Sequence, residues 1–345
     1  MGSNSQQRIM TSDIASHVSI DRYKWQSYAD NHECGTIFHT PYMYDVYYAT
    51  PNHEPFALFV LDDKGDIQAM LSGYIQVVKP GLFSGISKRA VLMQSPIYSK
   101  SDALKKLLSH YKRVMGHRVV YTEIRNHSDT QHVKNLYYGE GFRFEEHLNI
   151  LVDLSQSEED LWKQIHSKRR NEIRKAIKLG VSVSLLNSDS LHEAYTILQG
   201  VYNRARLPLL SYSFFKHAFD ISTKDSGMVA YGAYYGGILI GTMIVLQYKQ
   251  TIYDLYAGSL SDNYDKNPND ILPWEVFKYS KKKGFKRFDF GGAGKPSVPY
   301  GVRDYKLKFG GDLVNYGRYN LVHSPVKYIV AEKGFRVIKK LTSIT

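Results

Sequence analysis

Cysteine is almost missing from this chain: Cys34 is the only one in 345 residues. No disulfide can close within the chain and no cysteine-based zinc site can form, which fits a reducing compartment. Long apolar runs are missing too. The longest, Gly236 to Leu246, falls well short of the ~20 residues a membrane-spanning helix needs. Met1 to Asp13 is polar and lacks the apolar stretch of a secretory signal, so the expected location is the cytoplasm. Neither a Gly-x-Ser-x-Gly elbow nor a His-Glu-x-x-His pair occurs, which removes those signatures of serine and zinc chemistry. Acidic residues are outnumbered, 33 against 45 basic ones, for a net charge of +12. Such an excess attracts polyanions: nucleic acid, nucleotide-linked substrates or an anionic membrane surface. With 43% hydrophobic and 23% charged residues, a disordered or fibrous chain is excluded, and the length suits two domains.

The two halves repeat one order of elements. Phe56 to Leu61 reads as a buried strand, Asp62-Asp-Lys-Gly65 as a turn and Ile67 to Val78 as the return strand. Met228 to Tyr234, Gly236-Gly237 and Ile238 to Gln247 restate that hairpin, with a further strand over Ile252 to Ala257. Each hairpin is followed by a helix closed by Gly-Phe and then a strand. The first set is Thr130 to Glu140, Gly141-Phe142 and Glu146 to Val152. The second is Pro273 to Lys283, Gly284-Phe285 and Arg287 to Phe290. Hairpin, helix and strand in that order describe an α/β fold with mixed sheets, of the GNAT acyltransferase type, written twice in tandem. The expected domains are 1–153 and 154–319, with the tail from about 320 to 345 packing back on the first.

Leu161 to Gly180 reads as one amphipathic helix, with Leu161, Ile165, Ile173, Ala176 and Ile177 inward and Lys168, Arg169, Arg170, Arg174, Lys175 and Lys178 on the remaining surface. Three of these are arginines, whose planar fork suits phosphate; a merely solvated face is the plainer alternative. Asp289-Phe-Gly-Gly-Ala-Gly294 follows a strand, but Pro296 and Pro299 exclude an immediate helix and with it a dinucleotide site. In Tyr300 to Gly311, Arg303, Lys306 and Lys308 alternate with Tyr305, Leu307 and Phe309. That alternation predicts a strand with Lys306 and Lys308 on one face, either lining a cleft or guarding an edge.

Lys168-Arg-Arg-Asn-Glu-Ile-Arg-Lys-Ala-Ile-Lys-Leu-Gly-Val181, Tyr256-Ala-Gly-Ser259, Pro268-Asn-Asp-Ile-Leu-Pro-Trp-Glu275, Phe288-Asp-Phe-Gly-Gly292 and Tyr305-Lys-Leu-Lys-Phe-Gly-Gly311 stand in that order. Together they resemble the Fem family of non-ribosomal aminoacyltransferases, tandem GNAT-like proteins that build peptidoglycan interpeptide bridges. Phe38-His-Thr-Pro41 and Tyr121-Thr-Glu-Ile-Arg125 match more loosely. The resemblance implies transfer of an aminoacyl group from charged tRNA, with no further cofactor, to an amine of a lipid-linked or nucleotide-linked peptidoglycan precursor. It implies anion-binding roles for Arg170 and Arg174, a cleft tyrosine at Tyr256 and basic acceptor-cleft residues at Lys306 and Lys308. Glu123 falls about where some members carry an acidic cleft residue. Arg169 and Arg303 complete the candidate substrate-binding set, with Tyr256, Lys306 and Lys308 as the candidate catalytic set and no metal ligands. The coiled-coil arm of some members has no counterpart here, and no lysine follows Pro41 where some relatives carry a basic residue.

An aminoacyl ester is already activated, so positioning, amine deprotonation and oxyanion stabilisation suffice, without a nucleophilic triad. The scattered histidines read as structural. One alternative is a CoA-dependent N-acyltransferase on the same fold, although Ser259 to Ile271 has no glycine for a pyrophosphate cradle. The other is a non-catalytic RNA- or membrane-surface-binding module, with Val326 to Leu341 as an interfacial helix or as a helix packed on the first domain.

Overall fold

The computed structural model describes residues 14–77 and 88–330. The first sheet has eight strands. Its order is β1 (Ile14–Ser16), β2 (His53–Leu61), β3 (Ile67–Val77), β4 (Lys88–Leu92), β6 (Tyr121–Arg125), β15 (Arg318–Val322) and β7 (Arg143–Glu145), with β5 (Ile97–Tyr98) on β3. The second has seven: β14 (Asp312–Asn315), β8 (Leu148–Asp153), β13 (Arg287–Gly292), β12 (Thr251–Ser259), β11 (Ile238–Tyr248), β10 (Gly227–Tyr235) and β9 (Ser182–Leu185). The repeated hairpins are β2–β3 and β10–β11, both antiparallel.

Each sheet contains a parallel neighbour pair that soon parts. β4 and β6 are paired from Arg89↔Tyr121 to Leu92↔Ile124. β12 and β13 are paired only from Thr251↔Arg287 to Tyr253↔Asp289. Crossover helices make these parallel pairs possible. Helix α3 (Ser101–Met115) lays Leu104, Leu107, Leu108, Tyr111 and Met115 against the first sheet at helical spacing. In the second half the crossover is α9 (Pro268–Lys282), whose Ile271, Leu272, Val276 and Phe277 fill the core beneath it.

The strand expected over Glu146 to Val152, ahead of a boundary at 153, is β8 (Leu148–Asp153). It pairs with β13 and β14 in the second sheet, so the chain changes sheets near residue 146. The tail strand β15 runs the other way and inserts between β6 and β7 of the first sheet. The crossing turns at Gly317, whose φ is +67° and where a Cβ would stand 2.1 Å from the Phe144 ring; only glycine meets both conditions. The reading of Val326 to Leu341 lies mostly outside the described residues.

Three local expectations need correction. The basic helix is two helices, α5 (Glu158–Gln164) and α6 (Ser167–Lys178). They are separated at Ile165–His166, where His166 Nδ1 accepts the Lys168 N–H at 3.2 Å and caps α6. Helix α9 starts at Pro268, with Pro273 inside it rather than near its start. Pro273 cannot donate to the Asn269 carbonyl, and the Tyr305 hydroxyl donates to that carbonyl instead. Tyr305 belongs to α10 (Gly301–Leu307), a helix where a strand was expected. Its ring meets Phe309, four residues on, at 5.3 Å, a helical contact that the alternating pattern also permits.

The halves share an apolar seam. Phe38, Met43, Val46, Tyr47, Tyr74 and Val91 from the first pack in one cluster with Leu198, Phe214, Phe215, Ile244, Leu246 and Tyr253 from the second. Its scaffolding is α2 (Pro41–Tyr48), α7 (Leu191–Arg204) and α8 (Tyr212–Asp220). Tyr42 ties α2 across it, donating to the Ala218 carbonyl at 2.7 Å and accepting the Met228 N–H at 3.0 Å.

Candidate active site

Above this seam lies a cavity of about 370 Å³ lined by both halves. The two parting points open into it. Met93, Arg125, Asn126 and His127 come from the ends of β4 and β6, and Asp254, Leu255, Tyr256, Asp289, Gly291 and Gly292 from β12 and β13. Four consecutive residues, Tyr253 to Tyr256, reach the lining, which strict strand alternation would forbid. A β-bulge explains it: Ile244 faces Tyr256 and Val245 faces Asp254, leaving Leu255 extra.

The first-half wall is cationic. Arg89 donates from Nε and Nη2 to Gln76 Oε1, at 3.0 and 2.8 Å, and from Nη1 to the Tyr121 hydroxyl at 3.3 Å. No carboxylate pairs with it among the described residues. Arg125 and Arg318 share one partner, Glu123, at 2.5 and 3.4 Å. Three guanidiniums against one carboxylate leave an excess of two positive charges. Burial would raise the Glu123 carboxyl, but Arg125 and then Arg318 outweigh it and hold the group below its usual value. Burial, and then Arg318, pulls the nearby His147 down to about 4.

On the opposite wall the carboxylates are occupied. Asp254 Oδ2 lies 3.3 Å from Lys306 Nζ, which also donates to the Phe290 carbonyl. Lys306 therefore plugs the gap where β12 and β13 part. Burial raises the Asp254 carboxyl despite that partner. Asp289 Oδ2 lies 2.8 Å from His127 Nδ1, and its Oδ1 accepts the Gly291 N–H at 2.7 Å.

Of the eight residues singled out in sequence, Tyr256 alone lines the cavity, against Tyr202 and Phe215, its hydroxyl pushed up by burial. Glu123 and Lys306 stand directly behind lining residues. Lys308 does not join Lys306 on one face: positions two apart point different ways on a helix, and Lys308 is the C-cap of α10, its carbonyl accepting the His166 N–H. Arg303 is spent on the Gly-rich loop, bonding the carbonyls of Ala293, Lys295 and Val298. Arg169 pairs with Asp270 and lies over the Tyr305 ring. Arg174 lies over Trp162 at 5.2 Å, and Arg170 is half-buried with its Nε unpartnered. These three arginines sit on α6, outside the cavity. The lining residues that sequence reasoning passed over are Arg89, Arg125, Arg318, His127, Asp254 and Asp289; Arg125 and Asp289 lie inside motifs already quoted.

A parallel pair that parts at the site and a crossover helix, present in each half, with a bulge in β12 of the second, define a tandem GNAT-type fold. The family described as "Acetyltransferase (GNAT) domain" matches residues 167–307. The chain is 24% identical over 284 residues to the UDP-N-acetylmuramoylpentapeptide-lysine N(6)-alanyltransferase of Weissella viridescens, covering 75% of this chain and 81% of that protein. The structure of FemX superposes with a TM-score of 0.71 at 13% identity, over 89% of this chain and 97% of that one. L-PGS from Bacillus licheniformis gives 0.58 at 14% identity, over 93% and 97%. The protein is thus an acyltransferase, and its resemblance to the Fem family is borne out. No helix among the described residues is long and apolar enough to cross a membrane.

Proposed function

We propose that the protein transfers an aminoacyl group from charged tRNA to an amine of a peptidoglycan precursor. The observation that carries the donor assignment is the start of α9, where a CoA-type donor would need open backbone N–H groups. Pro268 offers none, and the Asp270 N–H already bonds the Asn267 carbonyl at 3.1 Å. The buried Asp270 carboxylate, paired with Arg169, occupies that helix end. An ester donor carried by RNA needs no such cradle, and the exposed Lys168, Arg174, Lys175 and Lys178 of α6 supply phosphate contacts outside the cavity. The Weissella relative, named for alanyl transfer to a muramoyl-pentapeptide lysine, supports the acceptor class. In this reading Arg89, Arg125 and Arg318 seat an anionic group of the acceptor, and its amine reaches toward Tyr256.

The test is purified protein with bulk charged tRNA or acetyl-CoA, and with nucleotide-linked precursor, lipid-linked precursor or phosphatidylglycerol vesicles, read by mass spectrometry. The reading expects one amino-acid residue of added mass on a precursor, abolished by RNase. An acetyl increment from CoA alone would overturn the donor assignment, and an increment confined to the phospholipid would overturn the acceptor.

A further inference from the structure

The geometry points to His127 as the base that takes the acceptor amine's proton, with Asp289 positioning its ring; this rests on the transfer reading above. The two residues come from opposite halves, 162 positions apart, and meet at 2.8 Å. Asp289 is 2% exposed on its side chain, and as a carboxylate it can only accept. His127 Nδ1 therefore carries the proton, and in the neutral ring Nε2 holds the lone pair. Phe38 stacks on the ring at 5.3 Å and Tyr253 meets it edge-on at 5.6 Å. The His127 backbone N–H donates to Gln94 Oε1 at 2.7 Å, fixing the loop. No group among the described residues bonds Nε2, yet it is not one of the buried unpartnered atoms. Nε2 is thus left open on a residue that lines the cavity.

The other titratable groups there are poorly suited. His147 is held at about 4 by burial and then Arg318, with Nδ1 against the Leu148 carbonyl. Asp254 is tied to Lys306, and Glu123 to two arginines. Burial pushes the hydroxyls of Tyr47, Tyr74, Tyr253 and Tyr256 up. His39, behind His127, is fully engaged with Thr36 and Ser95. A tie between the halves needs only a donor to Asp289; an imidazole adds a second nitrogen that can accept a proton.

The step balances as follows. The amine nitrogen bonds to the aminoacyl carbonyl carbon, and its proton passes to Nε2. The carbonyl carbon's bond to the ribose oxygen breaks, and Nε2 returns the proton to that oxygen.

His127→Asn separates the two roles, because its amide can still donate to Asp289 while nothing replaces Nε2. The expected result is an unchanged melting temperature and acceptor KM, a single-turnover transfer rate lower by about 100-fold or more, and loss of the acid limb of the pH–rate profile. Asp289→Asn, which favours the wrong tautomer, lowers the rate with little change in KM. A wild-type rate or a surviving acid limb in His127→Asn would overturn the assignment. Nitrogen-15 NMR tests it without any donor: the neutral His127 ring should carry its proton on Nδ1 and leave Nε2 bare, and the reverse tautomer would sink the proposal. Absence of aminoacyl transfer by the wild type would instead count against the donor reading and leave the tautomer measurement to judge the dyad.

Discussion

Lys306 Nζ stands 3.3 Å from Asp254 Oδ2, at the point where two parallel strands separate, and its remaining donors reach the Phe290 carbonyl. A lysine read from sequence as lining a cleft is thus a strut within the cleft wall. Lys306→Met leaves a buried carboxylate without a partner, so stability should fall by about 3–5 kcal/mol. Adding Asp254→Asn in the same chain should recover most of that. Urea melts of the four proteins in this cycle measure the coupling, and additive losses would show the two groups to be independent.

Glu123 holds Arg125 and Arg318 together with a carboxyl kept below its usual 4.5, the arginines outweighing the burial that would raise it. The stabilisation it provides is complete above that usual value and disappears as the pH falls through the lowered one. Glu123→Gln should lower the melting temperature at pH 7 and flatten the acid side of the stability curve. An unchanged acid limb in the variant would place acid sensitivity elsewhere, for example at His323, half-buried against Thr122 and held at about 4 by desolvation.

Arg89 can be removed without orphaning a carboxylate, since its partners are Gln76 and Tyr121. Arg89→Gln should therefore fold normally and raise the acceptor KM about tenfold, the worth of one charge-assisted hydrogen bond, with kcat little changed. A normal KM would remove Arg89 from the acceptor seat.

On α6, Arg170→Ala with Arg174→Ala should weaken binding of charged tRNA. The slope of log affinity against log salt should become shallower by about one to two units. The acceptor KM should not move, because neither residue lines the cavity. An unchanged salt slope would return this helix to the solvated face that is its plainer reading.

The strand–turn–strand units were readable because their apolar residues sit in continuous runs broken by Gly65 or Gly236-Gly237. Helix and strand were confused over Tyr300 to Gly311 because Tyr305, Leu307 and Phe309 satisfy a period of two, while Tyr305 and Phe309 alone satisfy a helical turn. The break at Ile165–His166 has no glycine or proline to announce it. Among the site residues, Glu123 and Arg125 share a short motif and were within reach of local reading. His127 was not: its meaning comes from Asp289 in the other half, and one of 13 histidines carries no local mark of that partner. Arg318 is recruited to the first wall by a strand that crosses from the far end of the chain.

That crossing strand sets an order on synthesis. β15 lies between β6 and β7, each pairing with it on either side. A nascent chain must therefore hold that slot open until residue 322 has left the ribosome, by which time the whole second sheet has emerged. The amino-terminal half cannot mature first and wait for its partner, as sequential domains usually do. Both halves close in the same late event, and the cavity between them exists only from that moment.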